Sequence, residues 1–203
     1  MSAPFPGTEG YAEAAPRLLG IRLAFDEVHA PIRHLLPRAP ARILDIGSGP
    51  GHDAAHLAAM GHDVVAVEPE PVLLDGAIRL HGRDGIRWVA DGLPDLARLP
   101  DPDMRYDLIL ASGVWMHLDA DERRQAMPRV ASLLAPRGVL AISLRHGPVP
   151  PGRRMFPVSA AETSAGASAE GLARLVRLER ASIQETNRAV GVTWTHLAFR
   201  RDA

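Results

Sequence analysis

The stretch that decides the fold reads Ile43-Leu44-Asp45-Ile46-Gly47-Ser48-Gly49-Pro50-Gly51. The apolar residues around the acid are typical of a parallel strand that is buried on both faces. The glycines that follow allow the backbone to turn sharply and to approach a ligand closely, since they carry no side chain. The stretch therefore predicts a strand, a tight turn and the start of a helix that together hold a cofactor.

The spacing of the glycines distinguishes between two kinds of cofactor. It is Asp-x-Gly-x-Gly-x-Gly, whereas the dinucleotide fingerprint is Gly-x-Gly-x-x-Gly and places a pyrophosphate at the helix N-terminus. The spacing resembles motif I of class I S-adenosylmethionine-dependent methyltransferases. A single glycine-rich turn has limited specificity, so the rest of the chain has to supply the other parts of such a site.

Composition limits the class of protein. The chain has 203 residues, which suits one domain, and its net charge of -1 does not favour a nucleic-acid partner. All 23 basic residues are Arg and there is no Cys, which excludes disulfides and thiolate chemistry. No basic-then-apolar leader and no long apolar run occur, so we expect a cytoplasmic protein without a membrane partner.

The chain is predicted to consist of a flexible tail at residues 1–10 and one domain at residues 11–203. Within that domain, residues 11–36 are expected to form a helical lid, residues 41–146 the cofactor-binding core, and residues 153–203 the last part of the sheet. Pro and Gly at the junctions support these boundaries.

Strands and helices alternate along the core. Predicted strands are Arg42–Ile46, Asp63–Glu68, Ile86–Ala90, Tyr106–Ala111, Gly138–Leu144, Leu172–Leu178 and Val192–Phe199. Predicted helices are one or two in Tyr11–Leu36, then Gly51–Met60, Pro71–Leu80, Asp119–Leu134 and Ser159–Ala169.

Alternation of this kind predicts an α/β, doubly wound fold with a mostly parallel sheet. A loop without a helix is expected between the last two strands, which makes them antiparallel neighbours if they pair. The resemblance implies a seven-stranded Rossmann-like methyltransferase sheet with an antiparallel C-terminal strand.

Acidic residues follow three successive predicted strands, at the edge where parallel sheets bind ligands. Asp45 ends the first strand, Glu68 ends the second 23 residues later, and Asp91 follows the third. Individually they are also common as a helix cap, a surface-loop residue and a turn residue. Their order is that of the methyltransferase family, where such residues face the methionine, the ribose and the adenine.

The resemblance implies S-adenosyl-L-methionine as the cofactor and a site that covers each part of it. An ionised carboxylate at the second strand accepts hydrogen bonds from both ribose hydroxyls. The predicted cofactor-binding residues are Asp45, Gly47, Ser48, Gly49, Gly51, Glu68, Pro69, Asp91, Gly92, Leu93 and Ser112.

Three residues are candidates for catalysis. His117 lies in the segment after strand four, which resembles the region where small-molecule methyltransferases often place a His against the substrate; it is equally typical of a helix start. A neutral imidazole there can remove a proton from a nucleophile. Arg145 and His146 follow strand five, with Arg153 and Arg154 beyond, where they either bind an acidic group of the acceptor or are simply solvated.

The predicted function is transfer of a methyl group to a small-molecule acceptor by in-line displacement, with oxygen, nitrogen, sulfur or a metalloid oxyanion as the acceptor atom. The alternatives are a dinucleotide-dependent oxidoreductase and a cofactor-binding module without activity. No metal is expected, because the His52 and His56 pair lacks a third ligand. The oligomeric state is left as monomer or homodimer.

Overall fold

A seven-stranded sheet lies at the centre of the protein, seen in a computed structural model that describes residues 5–101 and 103–202. The strands are Arg42–Ile46 (β1), Asp63–Val67 (β2), Ile86–Val89 (β3), Tyr106–Ser112 (β4), Leu134–His146 (β5), Leu172–Ala181 (β6) and Thr193–Arg201 (β7). Their order in the sheet is β3-β2-β1-β4-β5-β7-β6. Strand β7 is antiparallel to β5 and β6, and the β1–β5 pairings are parallel, so the predicted fold class is confirmed.

Helices cover both faces of this sheet. They are Tyr11–Gly20 (α1), Phe25–Val28 (α2), His52–Ala59 (α3), Pro71–His81 (α4), Ala120–Ser132 (α5), Ala160–Ala169 (α6) and Glu185–Ala189 (α7), with 3-10 turns at Arg33–Leu35 and Trp115–His117. In the described part of the chain no helix is long and apolar enough to cross a membrane.

Strand β1 separates the two cores because successive side chains point to opposite faces. Leu44 and Ile46 lie in the core beneath α5 and α6, whereas Ile43 lies in the core beneath α3 and α4. This strand pairs with β2 on one side and β4 on the other, so the direction of winding reverses between β1 and β4. Their carboxyl ends therefore form the crevice in which doubly wound sheets bind ligands.

The segment between β6 and β7 differs from the prediction. It contains the short helix α7, so the expectation of a loop without a helix was wrong. The two strands are nevertheless antiparallel, because the whole connection spans only residues 182–192 and returns the chain to the same edge.

Strand β5 also begins earlier than predicted, at Leu134 and not at Gly138. Leu134 pairs with Tyr106, and a bulge before Leu108 shifts the register of the two strands. Arg137 adopts a positive φ of 65° in this irregular stretch, which sequence patterning does not indicate.

The N-terminal part lies against the carboxyl edge of the sheet. Residues 1–4 of the predicted tail lie outside the described residues. Gly7 approaches His117 so closely that a Cβ on Gly7 would lie 2.8 Å from the His117 Cβ, and Phe5 packs against Gly92. The Phe5 ring also lies 5.2 Å from the Arg98 guanidinium carbon. The mobility of this segment, and of residues 11–36 as a lid, stays a prediction.

Candidate active site

The glycine-rich turn after β1 has the backbone conformation that its sequence predicts. Gly47, Gly49 and Gly51 have φ angles of 66°, 52° and 78°, in the left-handed region that disfavours other residues. A Cβ at Gly47 would lie 2.5 Å from Val114, and one at Gly51 would lie 2.5 Å from the Trp88 ring. A Cβ at Gly49 would have no neighbouring atom of the described residues within 4 Å, so Gly49 is the one of these three glycines that leaves open space beside the turn.

Two cavities meet at the turn, and Gly47 and Gly49 line both of them. The large cavity, of about 270 Å³, extends from Asp45 and Ser48 to α1, the start of α3, and the β6–β7 connection. The small cavity, of about 90 Å³, extends towards the ends of β2 and β3. A ligand that lies across the turn would therefore reach both sides of the crevice.

The carboxyl group of Asp45 is 2% exposed and lies at the bottom of the large cavity. Burial, and then the negative charges of Asp53 and Glu68, raise the pKa of Asp45 well above its ordinary value. Its Oδ2 atom has no hydrogen-bond partner among the described residues, and neither has the buried hydroxyl of Ser48. Buried polar atoms of this kind are normally paired, which points to a ligand as the missing partner.

Glu68 fastens the second strand to the turn. Its Oε2 accepts a hydrogen bond from the Gly49 N–H at 2.7 Å, and its Oε1 accepts one from the Glu70 N–H at 2.8 Å. Burial raises the pKa of Glu68 to about 7, although both hydrogen bonds favour the ionised form. Each oxygen keeps a further lone pair for a ligand.

Asp91, which is predicted to bind the adenine, is hydrogen-bonded to its own loop. It is 1% exposed, and its two oxygens accept hydrogen bonds from the N–H groups of Gly92 at 2.8 Å and Arg98 at 2.6 Å. Gly92 and Leu93 line the small cavity with Pro69, whereas Asp91 holds their loop from behind.

His117 faces the small cavity and has partners on both ring nitrogens. Its Nδ1 lies 2.7 Å from the carbonyl oxygen of Arg154, so Nδ1 must donate, and Nε2 therefore accepts from the Tyr11 hydroxyl at 2.9 Å. Burial lowers the pKa of His117. The ring is consequently neutral at pH 7, and its unprotonated Nε2 is covered by the Tyr11 hydroxyl.

Arg145 and His146 point to opposite faces of β5. Arg145 lies opposite Trp194 on β7 and donates to the Pro148 carbonyl at 2.8 Å. His146 lies on the other face, where its Nε2 is 2.8 Å from the Thr195 hydroxyl. The structure thus separates these two predicted neighbours, because adjacent strand residues alternate.

Two guanidinium groups near Tyr11 have no acidic partner in the described part of the chain. The carbon of the Arg153 guanidinium lies 3.4 Å from the centre of the Tyr11 ring, and Arg153 Nη1 is buried without a hydrogen-bond partner among the described residues. No ion pair joins Arg145 or Arg153 to a carboxylate in residues 5–101 and 103–202. Arg154, in contrast, is paired with Glu122 at 2.8 Å.

Sequence reasoning missed the polar wall of the large cavity. Asp53 accepts a hydrogen bond from His29 at 2.7 Å, and His196 lies 3.1 Å from Arg180. Ser112, which was predicted, lies 3.1 Å from the missed Ser143. The period-two alternation of Trp194 and His196 in β7 could have placed both on one face, but nothing local indicates the His29–Asp53 pair.

His52 and His56 belong to different contacts. His52 lies within 3.0 Å of His81 and 2.9 Å of Arg22, whereas His56 stacks on the Phe25 ring at 4.3 Å. Across the described ranges no cluster of three or more His, Cys, Asp or Glu side chains is arranged around a metal position.

The fold is that of class I methyltransferases. The Burkholderia thailandensis 1,6-didemethyltoxoflavin-N1-methyltransferase, solved with 1,6-didemethyltoxoflavin and S-adenosylhomocysteine, superposes with a TM-score of 0.67 and 23% identity over 95% of this chain and 80% of that one. The N-methyltransferase NodS of Bradyrhizobium japonicum, solved with S-adenosylhomocysteine, gives a TM-score of 0.68 and 18% identity over 94% and 98% of the two chains.

The sequence agrees with this fold. Residues 43–138 match the model of a methyltransferase domain family. A trans-aconitate 2-methyltransferase of Methylobacterium radiotolerans is 33% identical over 142 residues, which are 67% of this chain and 52% of that protein. The chain spans about half the length of the curated relatives it matches. The resemblance to class I methyltransferases is confirmed in both core sequence and fold.

Proposed function

We propose that the protein transfers a methyl group from S-adenosyl-L-methionine to a small-molecule acceptor. The observation that carries this proposal is the buried carboxyl oxygen of Asp45, which has no partner among the described residues, beside the open turn at Gly49. Negative charges at Asp53 and Glu68 raise its pKa further, so a cationic group is the ligand that would relieve the cost of ionising these acids. S-adenosylmethionine brings an ammonium and a sulfonium that carries an activated methyl group.

The chain offers a group for each part of that cofactor. Asp45 and Ser48 would hold the amino-acid end in the large cavity, since each has a buried polar atom that no described residue pairs with. Glu68 would accept from the ribose hydroxyls with its free lone pairs, and Gly92 and Leu93 would flank the adenine in the small cavity. Asp91 would support that loop from below.

His117 is proposed to bind the acceptor or to act as its general base. Its neutral ring and bare Nε2 suit this role, but Tyr11 now donates to that nitrogen. Before His117 can contact the acceptor, the Tyr11 hydroxyl must therefore leave Nε2, either by turning away or by donating its hydrogen bond to the acceptor. Much of the rate would come from holding the nucleophile in line in a site without water.

An acidic group on the acceptor is proposed to lie near Arg145 and Arg153. Both guanidinium groups lack an acidic partner among the described residues, and Arg153 Nη1 is buried and unpaired. A carboxylate would supply the missing acceptor atoms. The name of the trans-aconitate 2-methyltransferase relative, which denotes a methyltransferase of a small acid, supports the same class.

The remaining expectations follow from this function. We infer a cytoplasmic enzyme that acts on a small molecule, without nucleic-acid or membrane partners, as a monomer or homodimer. The glycine spacing disfavours a dinucleotide-dependent oxidoreductase. A cofactor-binding module of the same fold without activity would bind the cofactor in the same way and would differ only in not transferring the methyl group.

Calorimetric titration with S-adenosylmethionine, S-adenosylhomocysteine and NAD tests the cofactor. We expect saturable binding of the first two compounds and no binding of NAD. The Asp45→Asn variant should have an affinity for S-adenosylmethionine that is at least tenfold lower than that of wild type. Asp75→Asn, at an exposed position of α4, is the matched control. Binding of NAD without S-adenosylmethionine would contradict the proposal. Release of S-adenosylhomocysteine with small acids, phenols, thiols and amines then separates an enzyme from a silent module.

A further inference from the structure

The far end of the large cavity forms a second pocket next to the proposed cofactor position. Its apolar walls come from the end of α1, from α2 and from the β6–β7 connection, and include Leu18, Ile21, Val28, Ile183 and Trp194. The whole cavity, with the cofactor end included, has a volume of about 270 Å³, so only part of that volume is left for a second ligand. The pocket therefore suits a small molecule with an apolar body.

Asp53 presents a hydrogen-bond acceptor to this pocket. One oxygen, Oδ2, accepts from His29 Nε2 at 2.7 Å, and the His29 side chain is 5% exposed. The other oxygen, Oδ1, has no hydrogen-bond partner among the described residues, although Asp53 lines the cavity. An ionised carboxylate only accepts hydrogen bonds, so the group that it binds must carry a proton.

His196 also lines the large cavity. The Arg180 Nε lies 3.1 Å from His196 Nε2, and because arginine only donates, this nitrogen carries no proton. A neutral ring then has its proton on Nδ1. Burial lowers the pKa of His196 to about 4, so the neutral form prevails near pH 7.

Residues of the side wall favour a ligand of a particular shape and charge. Trp194 lines the cavity, and Arg145 lies directly opposite it in the β5–β7 pair, on the same face of the sheet. A planar molecule stacked on Trp194 would place an acidic substituent next to Arg145. Its other end would then point towards Asp53 and the glycine turn.

We propose that this pocket, and not the space beside His117 in the small cavity, is the acceptor site. It takes a small planar acid whose hydroxyl group donates a hydrogen bond to Asp53, so in this arrangement His117 is not the general base. This assignment rests on the proposed methyltransferase function and names the acceptor class that the function leaves open. Asp53 orients the hydroxyl oxygen towards the turn, and His29 acts as a positioning residue for Asp53.

Binding of 4-hydroxybenzoate and of benzoate separates the hydroxyl contact from the rest of the pocket. Both are titrated into the unliganded protein and into protein saturated with S-adenosylhomocysteine. We expect Asp53→Asn to lower the affinity for 4-hydroxybenzoate at least tenfold, because a charge-assisted hydrogen bond is lost. The affinity for benzoate should stay within about twofold of the wild-type value. Trp194→Ala should weaken both compounds.

Controls keep the result independent of folding. Asp75→Asn carries the same substitution at an exposed site, and Asp53→Glu retains the carboxylate and should recover part of the affinity. Each variant is compared by thermal midpoint first. Equal weakening of both compounds by Asp53→Asn, or no binding of 4-hydroxybenzoate by wild type, would overturn the acceptor assignment.

The two proposals fail in different ways. If S-adenosylhomocysteine does not bind, the proposed function is wrong, and the titrations of unliganded protein still decide the pocket. If S-adenosylhomocysteine binds and neither acid does, the cofactor proposal stands and the pocket assignment is wrong.

Discussion

Single residues around the glycine turn have their ionisation set by burial, and not by their sequence neighbours. Glu68 follows a strand and would be an ordinary ionised side chain at the surface, but at 5% exposure its pKa is raised to about 7. His117 would titrate near neutrality, and burial lowers its pKa. Sequence spacing placed both residues at the site, but it could not predict their protonation.

Glu68 should make cofactor binding depend on pH. The carboxyl is largely protonated below pH 7, so we expect affinity for S-adenosylmethionine to rise from pH 5.5 to pH 8 as the group ionises and accepts from the ribose. Glu68→Gln should weaken binding about tenfold or more at pH 8 and flatten the profile. Calorimetry across this pH range measures the affinity. If Glu68→Gln kept the wild-type pH profile, Glu68 would not be the group that causes the pH dependence.

The unliganded protein should show the opposite trend from the same group. The pKa of Glu68 is higher in the folded state, about 7, than the ordinary value of 4.5, so the folded state binds more protons between these values. Its contribution to stability is therefore greatest below pH 4.5 and is lost as pH rises to about 7.

Tyr11 should control the protonation of His117. Its hydroxyl donates to the bare Nε2 and thereby stabilises the neutral ring. We expect Tyr11→Phe to raise the pKa of His117, as followed by the imidazole resonances in an NMR titration. Tyr106→Phe is a control, because the Tyr106 hydroxyl has no partner among the described residues. A pKa of His117 that does not move in Tyr11→Phe would show that the contact is not formed in solution.

Among the elements, helix α5 has the clearest start signal. Asp119 accepts from the Glu122 N–H at 2.9 Å, while Glu122 accepts from the Asp119 N–H at 2.7 Å, which is a complete capping box. The sequence predicted this helix to start at Asp119, and the structure begins it one residue later. The same Glu122 also holds Arg154, whose carbonyl binds His117, so the helix start supports the site.

Loss of this cap should destabilise the protein measurably. We expect Asp119→Ala to lower the free energy of unfolding by about 1 kcal/mol, the typical cost of removing an N-cap. Asp121→Ala, on the exposed first turn, should change it less. Urea denaturation measures both, and equal effects would contradict a specific capping role.

At the scale of the whole molecule, polar contacts of Arg180 join the C-terminal strands to the N-terminal helices. Arg180 on β6 donates to the carbonyls of Glu27 at 2.8 Å and Val28 at 2.6 Å, and it also binds His196 on β7. Arg180 lies 153 positions from Glu27 and 152 positions from Val28 along the chain. No local pattern predicts such a link, because it depends on β7 pairing between β5 and β6.

The buried ring of His196 should therefore lower the free energy of unfolding at acidic pH. Its folded-state pKa is about 4, below the ordinary 6.5, so the unfolded chain binds more protons between these values and stability rises with pH across that window. Free energies of unfolding at pH 7 and pH 5 should differ by about 1–2 kcal/mol less in His196→Gln than in wild type. The exposed His34→Gln is the control, and an identical loss in wild type and His196→Gln would contradict the assignment.

The sequence by itself determined the alternation of strands and helices, the glycine turn and the acids after β1, β2 and β3. These signals are local, since they depend on backbone conformation at glycine and on apolar runs that must be buried. Only the tertiary structure decided which groups share a cavity. Asp53, His196 and Trp194 meet there, Asp91 turns into its own loop, and Arg145 parts from His146, because contact between distant residues follows from strand order and register and not from spacing along the chain.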